Sequence, residues 1–403
     1  MNSTVRVKDI DVLRGIAIII VFIQHLPINL IYWQHEPLFK FYNYFDGTAG
    51  VALFFVISGF LITKLYHPDF QQENKTTVIN NALFFWCKRA VRLFPAAWFW
   101  LLAIIAGSLF LNQTNAFGPV KASIEGAFAA LFQIANFRFM SCFNHYECGL
   151  NNVQWSLSLE QQFYFIFPFL VYFSKHRLTS LLALVLILQL FSETFAAPFG
   201  LRFSGFVLGI LIGILSTTPY YTAVMPVFLN RSLLLRTVLF SLLIVALAFS
   251  MGKEVHIGTS DQQYNLAVMI SGILVLLASY NQSWLLPPSR IKSLLLFIGQ
   301  RSYSYYLCHM FCFALTKTLL QLYYPTREPG SITALIYIGL ATLFCGVSGE
   351  FSYRVFEVNF KKRALPHLIA FKRRLPPVMP QTFTQDKGNT QIRRQSHALA
   401  ETV

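Results

Sequence analysis

Long apolar runs separated by short polar breaks dominate the chain. They fall at Ile10–Tyr32, Gly47–Tyr66, Ala90–Leu111, Trp155–Ser174, Leu178–Ala197, Phe203–Thr218, Leu233–Ser250, Tyr264–Tyr280, Ile298–Leu322 and Ile332–Tyr353. About 20 mostly apolar residues make a helix long enough to cross a bilayer. Lipid offers no partner to an unpaired backbone N–H or C=O, so such runs must be helices. The pattern predicts an all-α, polytopic integral membrane protein with about ten transmembrane helices. The sixth and eighth runs are the shortest. Residues 122–137 are also apolar, but counting them as a span would invert everything after them. They are read as an interfacial or re-entrant helix. The first run follows Arg6, Lys8 and Arg14 and so looks like a signal peptide. No small-residue cleavage site follows it, and Gln24 and His25 come instead, so it is read as a retained span.

Composition agrees. Hydrophobic residues make up 55% of the 403 and charged residues 12%, against about 25% charged in a soluble domain. Disorder, collagen, coiled coil and a disulfide-rich secreted scaffold are excluded. The net charge of +15 would suggest nucleic acid in a soluble protein. Here Lys and Arg cluster in alternate loops, as the positive-inside rule describes. One set holds Arg6, Lys8, Arg14, Lys64, Lys75, Lys88, Arg89, Arg92, Lys175, Arg177, Arg231, Arg236, Arg290, Lys292 and Arg301. The other set is sparse. Both termini are expected in the cytoplasm, and no nucleic-acid partner is expected. The membrane domain is placed at 1–360 and a basic, disordered cytoplasmic tail at 361–403.

Ionisable groups inside spans are costly and mark candidate sites. Arg14 and His25 are eleven residues apart, about three turns or roughly 16 Å along one helix face. Taken singly, Arg14 reads as a snorkelling arginine and His25 as a satisfied core histidine; together they suggest a lined path. Arg89 and Arg92 share a face at the start of the third run. They read either as a phosphate-binding fork or as positive-inside anchors. Glu160 lies near a helix N-terminus, where the dipole favours a carboxylate, and shares a face with Tyr164. His309 lies within the ninth run and needs a partner. Glu350, Arg354 and Glu357 suggest an ion-pair network between helices. The six cysteines show no zinc or thioredoxin spacing. Cys308 and Cys312 flank His309 and read as core filling. Cys142 and Cys148 lie in an outward loop and suit a disulfide if that face is oxidising.

These residues resemble the acyltransferase-3 family of membrane acyltransferases, which modify bacterial surface polysaccharides, lipopolysaccharide and related glycans. The resemblance runs from Asp9 to about Glu357. Arg14 through His25 matches the family's arginine, ten residues, histidine signature. Gly50 to Thr63 matches its second-span motif, and Arg89-Ala-Val-Arg92-Leu-Phe-Pro95 its arginine pair followed by proline. Trp155 to Glu160 with Phe163 and Tyr164 matches the fourth-span motif. Arg202 followed by Phe206 and Gly209 is similar to the sixth-span pattern. Ser302 to His309 matches the late histidine motif. The sequence departs at Ala52, where an acidic residue is usual, at Cys308 for tryptophan, and at Asn359 for proline. Some members carry a fused hydrolase-like extracytoplasmic domain, and none is expected here.

The resemblance implies a multi-pass protein of the bacterial inner membrane that moves an acyl group, most often acetyl, from cytoplasmic acyl-CoA to a carbohydrate hydroxyl at the outer face. Arg89 and Arg92 would take the CoA phosphates, with Arg14 at the same depth. His25 would act as general base or carry the acyl group. Glu160 or Tyr164 would orient the histidine or the acceptor. Arg202 and His309 are further candidate substrate contacts. No metal is expected, and the sequence sets no oligomeric state. The competing class is a proton-coupled exporter of a glycan or small molecule. Against it, the chain lacks the internal repeat many transporters show.

Overall fold

The computed structural model describes residues 6–30, 36–142, 147–191, 202–254, 259–323 and 331–375. Among the described residues there is no strand. The helices are α1 (Lys8–Asn29), α2 (Glu36–Tyr44), α3 (Thr48–Phe70), α4 (Lys75–Phe110), α5 (Val120–Leu131), α6 (Ala135–Cys142), α7 (Gln154–Ser174) and α8 (Leu178–Phe191). There follow α9 (Ser204–Leu215), α10 (Tyr220–Ala223), α11 (Leu233–Phe249), α12 (Ser260–Ser279), α13 (Arg290–Gln300), α14 (Ser302–Tyr323), α15 (Ser331–Ser352) and α16 (Lys361–Arg374). A π-helical turn, Tyr353–Phe360, joins the last two.

Each expected run contains a helix. Among the described residues, five stretches are long and apolar enough to cross a membrane: Lys8–Pro27, Thr48–Phe70, Lys75–Phe110, Asp261–Ser279 and Thr333–Arg374. The chain is therefore a membrane protein by length and composition. Helices α8, α9 and α11 are apolar but shorter. Residues 192–197, the end of the fifth expected run, lie outside the described residues.

Three differences from the sequence pattern have physical causes. Helix α4 begins at Lys75 rather than Ala90. The Asn74 side chain accepts from the Thr76 and Thr77 N–H groups, capping the helix early, and no Gly or Pro interrupts 75–89. The ninth run is broken at Arg301, because α13 lies against α1. A Cβ on Gly299 would sit 1.8 Å from the Asp11 carbonyl oxygen, so the two backbones touch there and the chain turns. Residues 122–137 form α5 and α6, split at Gln133, whose φ is +57°. With 12 residues, α5 is about 18 Å long and cannot cross.

Helix α3 is the hub and packs on α1, α7, α9 and α12. Its approach to α9 is close because both present glycine. A Cβ on Gly209 would lie 2.2 Å from the Val56 carbonyl oxygen, and one on Gly59 would lie 2.4 Å from that of Phe206. Small residues let membrane helices meet backbone to backbone. The start of α1 is fixed by a buried ion pair. Lys292 Nζ donates to Asp9 Oδ1 at 2.8 Å, to Ser283 Oγ at 2.9 Å and to the Leu286 carbonyl at 3.1 Å. Lys292 thus has a structural partner in addition to the positive-inside reading. Arg301 likewise donates to Glu350, which also accepts from Arg354 at 2.5 Å. Glu350 and Arg354 thus belong to a network of the kind expected near the end of α15, whereas Glu357 accepts from Ser304 Oγ instead.

Residues 361–374, placed in the tail by composition, are helical as α16 and pack on α4. The expected disorder of 376–403 falls on positions outside the described residues. Cys142 and Cys148 are bonded, which ties α6 to the turn before α7. Arg138 reinforces this tie by donating to the Cys148 carbonyl at 2.8 Å.

Candidate functional site

A cavity of about 980 Å³ opens between α1, α3, α4, α7, α14 and the α15–α16 junction. Its wall carries seven basic residues, Arg6, Arg14, Lys64, Arg89, Arg92, Lys361 and Lys362, and three acidic ones, Asp11, Glu160 and Glu357. Asp11 already accepts from Arg6 at 2.5 Å. Arg92 stands within electrostatic reach of Arg14, Arg89 and Glu357. So many cations around one space repel one another unless an anion sits among them. This charge pattern reads as a binding site.

The local geometry follows from helix periodicity. Arg89 and Arg92, three apart on α4, both reach the cavity. Arg89 is 9% exposed, its guanidinium 5.2 Å from the Tyr164 ring and 5.7 Å from the Phe85 ring. The two rings pack against the guanidinium, and the residue lines the cavity. Glu160 and Tyr164, one turn apart on α7, are hydrogen-bonded, with the Tyr164 hydroxyl donating to Glu160 Oε1. Ser58, from α3, donates to the same oxygen. Two hydroxyl donors hold this carboxylate in place at mid-bundle. Glu357 accepts from Ser304 Oγ at 2.6 Å. The π-helical turn carries Glu357, and such turns often mark functional sites.

The lining also includes Val51, Phe54, Phe55, Leu157 and, at its inner end, Tyr306. Two hydrogen bonds hold Tyr306. Its hydroxyl donates to the Val153 carbonyl at 2.8 Å and pairs with Ser156 Oγ at 2.7 Å. Behind its ring lies His309, with centroids 5.6 Å apart. Behind His309 lies His25, at 5.1 Å and edge-on. The two histidines are therefore neighbours, although far apart in sequence. Each uses Nδ1 in the same way: His25 donates to the Val21 carbonyl at 2.8 Å, and His309 to that of Tyr306 at 2.7 Å. A carbonyl only accepts, so Nδ1 carries the hydrogen and Nε2 the lone pair of each neutral ring. His309 Nε2 is buried with no hydrogen-bond partner among the described residues.

Of the residues singled out by sequence, Arg14, Arg89, Arg92, Glu160 and Tyr164 share the cavity wall. His25 and His309 form a pair just beyond its inner end and do not line it. Arg202 lies elsewhere, bound to Asp261 at 2.6 Å and over the Tyr264 ring at 4.7 Å. It precedes α9, whose other end meets the cavity at Ser216 and Thr217. The helix between is about 18 Å long, so Arg202 serves the opposite end. Sequence reasoning missed Ser58, Tyr303, Tyr306, Lys64, Lys361 and Lys362 as site residues. The signal for Ser58 was a hydroxyl midway along an apolar run. Lys361 and Lys362 gave no signal, because they read as tail, and Lys64 read as a positive-inside charge.

Comparison with known proteins places this site in context. No solved structure matches the chain. It is 26% identical over 381 residues to the O-acetyltransferase OatA of Staphylococcus aureus, covering 90% of this chain and 58% of that protein. It is 31% identical over 177 residues to the peptidoglycan O-acetyltransferase OatA of Listeria monocytogenes, covering 42% of this chain and 25% of that one. The chain thus spans well under two thirds of the length of these relatives. The family profile described as an acyltransferase domain matches residues 7–349, which include every cavity residue on α3, α4, α7 and α14, and the chain belongs to that acyltransferase-3 family.

Proposed function

We propose that the protein is an integral membrane O-acyltransferase. It moves an acyl group, acetyl first, from cytoplasmic acyl-CoA to a hydroxyl of a cell-surface carbohydrate at the outer face. The observation that carries this reading is the cation-lined cavity that ends at a histidine pair. Arg89, Arg92 and Arg14 hold the donor's phosphates, and Lys361 and Lys362 close the mouth. Arginine suits this work because its planar fork meets phosphate oxygens in pairs. The thioester end points inward past Ser58 and Glu160 toward Tyr306. His25 Nε2 takes the acceptor hydroxyl's proton as the oxygen attacks the thioester carbonyl. The tetrahedral intermediate collapses, the C–S bond breaks, and the proton passes to the departing thiolate. His309 Nε2, likewise an acceptor, takes a hydrogen bond from a neighbouring hydroxyl of the acceptor sugar and so orients it. In this reading both termini are cytoplasmic and the bridged Cys142–Cys148 segment faces out.

The Listeria relative's name makes peptidoglycan strands the first acceptor to try, followed by surface polysaccharides. Purified protein in proteoliposomes is given acetyl-CoA labelled in the acetyl group on one side and the glycan on the other. Label in base-labile ester on the glycan supports the reading. Donor binding without transfer to any hydroxyl acceptor, together with glycan movement across the vesicle wall, would replace it with transport.

A further inference from the structure

Three free cysteines converge inside the bundle. Cys308 and Cys312 stand one turn apart on α14, and Cys345 meets them from α15, which packs along it. Their three sulfur atoms all lie within 4.8 Å of one another, and all three side chains are buried. Cys308 Sγ makes long contacts to carbonyls, 3.7 Å to Tyr305 and 3.9 Å to Cys345. Thiols are weak donors and gain little there. Core filling explains any one of these residues; it does not explain three sulfurs gathered at one place. Three atoms no more than 4.8 Å apart all lie within about 2.8 Å of a common point, and metal–thiolate bonds run about 2.3 Å. Each sulfur needs to move only about half an ångström to bind one central ion.

We propose that Cys308, Cys312 and Cys345 form a three-sulfur site for a soft monovalent cation, Cu(I). Structural zinc takes four donors in a tetrahedron, whereas this cluster offers three sulfurs in an apolar setting. Sulfur donors select soft ions such as Cu(I). On binding, two thiols release their protons to the aqueous phase as two Cu–S bonds form. The third thiol ligates with its proton in place, and nothing is oxidised or reduced. The occupied site carries one negative charge. Ser348, half-buried on α15, lies beside the Cys312 thiol. The ion clasps α14 to α15. The site is independent of the acyl-transfer reading.

The test uses the purified full-length protein in detergent, under ascorbate without oxygen, which leaves the Cys142–Cys148 bond intact. Cu(I) is offered from a coloured chelator, and the metal withdrawn is read from its absorbance. One ion per chain is expected. C312S and C345S should each bind at least 100-fold more weakly, and C87S should match the wild type. Copper X-ray absorption of the wild-type complex should show three sulfur neighbours, a reading that needs no variant to fold. No withdrawal of copper, unchanged binding by folded C345S, or a shell with fewer than three sulfurs overturns the site.

Discussion

Arg89 gives the most direct test of the proposed donor site. The residue is 9% exposed and its guanidinium is braced by two rings, so it meets a phosphate without much further ordering. Opposite unit charges about 4 Å apart attract by about 4 kcal/mol at an effective dielectric of 20. Much of that is offset by stripping water from both groups, and a hydrogen bond to a charged group retains about 1.5–3 kcal/mol. Arg89→Ala should therefore weaken acyl-CoA binding about 10- to 150-fold. The phosphates lie far from the reacting carbon, so the contact is equal in ground and transition states. KM for the donor should rise while kcat changes little. Arg89→Lys should recover only part, because it keeps the charge and loses the fork. Arg92→Ala should behave similarly, and the double variant should lose less than the product of the two if both grip one phosphate. Isothermal calorimetry with CoA and initial rates across donor concentration give the numbers. A folded double Ala variant with unchanged donor affinity would leave the arginines as anchors and refute the argument.

His25→Ala and His25→Gln should both lose about 10²–10⁴-fold in turnover, the usual contribution of a general base, while still binding CoA; a folded Gln variant with near-normal turnover removes His25 from the chemistry. Tyr306→Ala should open the inner end of the cavity onto the histidine pair and raise use of propionyl- and butyryl-CoA relative to acetyl-CoA; an unchanged preference would show that Tyr306 is no barrier. Gly209→Leu drives a side chain into the α3 backbone and should cost on the order of 3 kcal/mol, read as a lower unfolding temperature; full stability would mean that α3 and α9 do not meet there. A thiol-reactive mass tag applied to unreduced, folded protein should miss Cys142 and Cys148, and reporter fusions at the C-terminus should register the cytoplasm.

The helical runs were legible because lipid leaves the backbone one solution, and hydropathy alone marks where it applies. The α7 pair Glu160 and Tyr164 and the α4 pair Arg89 and Arg92 were legible because helix spacing is fixed over one turn. What lay between helices was not. His309 meets His25 only because α14 packs on α1. Ser58 meets Glu160 only because α3 packs on α7. Lys292 read as a loop charge, since nothing in its own segment reveals Asp9 as its partner. The cysteine cluster escaped for the same reason: two of its members are a turn apart, and the third arrives from the next helix. Arg202 matched a pattern, yet a pattern does not say which end of α9 faces the cavity.

The length of α4 bears on how a large, highly charged donor meets a protein set in lipid. The helix has 36 residues, about 54 Å at 1.5 Å each, against a hydrocarbon layer of about 30 Å. The stretch from Leu93 to Phe110 is free of charge and long enough to fill that layer. A hydrocarbon layer set on that stretch would leave Lys75–Arg92 at or beyond the headgroups, and α16 packs on α4. In the proposed function, the nucleotide end of the donor never has to shed its hydration to enter hydrocarbon; only the slender thioester arm descends. Donor capture should then weaken as ionic strength rises, since charges at an aqueous rim are screened over about 8 Å in physiological salt. The later step at the histidines, set back from the charged rim, should be indifferent to salt. A soluble nucleotide lacking the thioester arm should compete for the rim as an inhibitor without ever reaching the membrane interior.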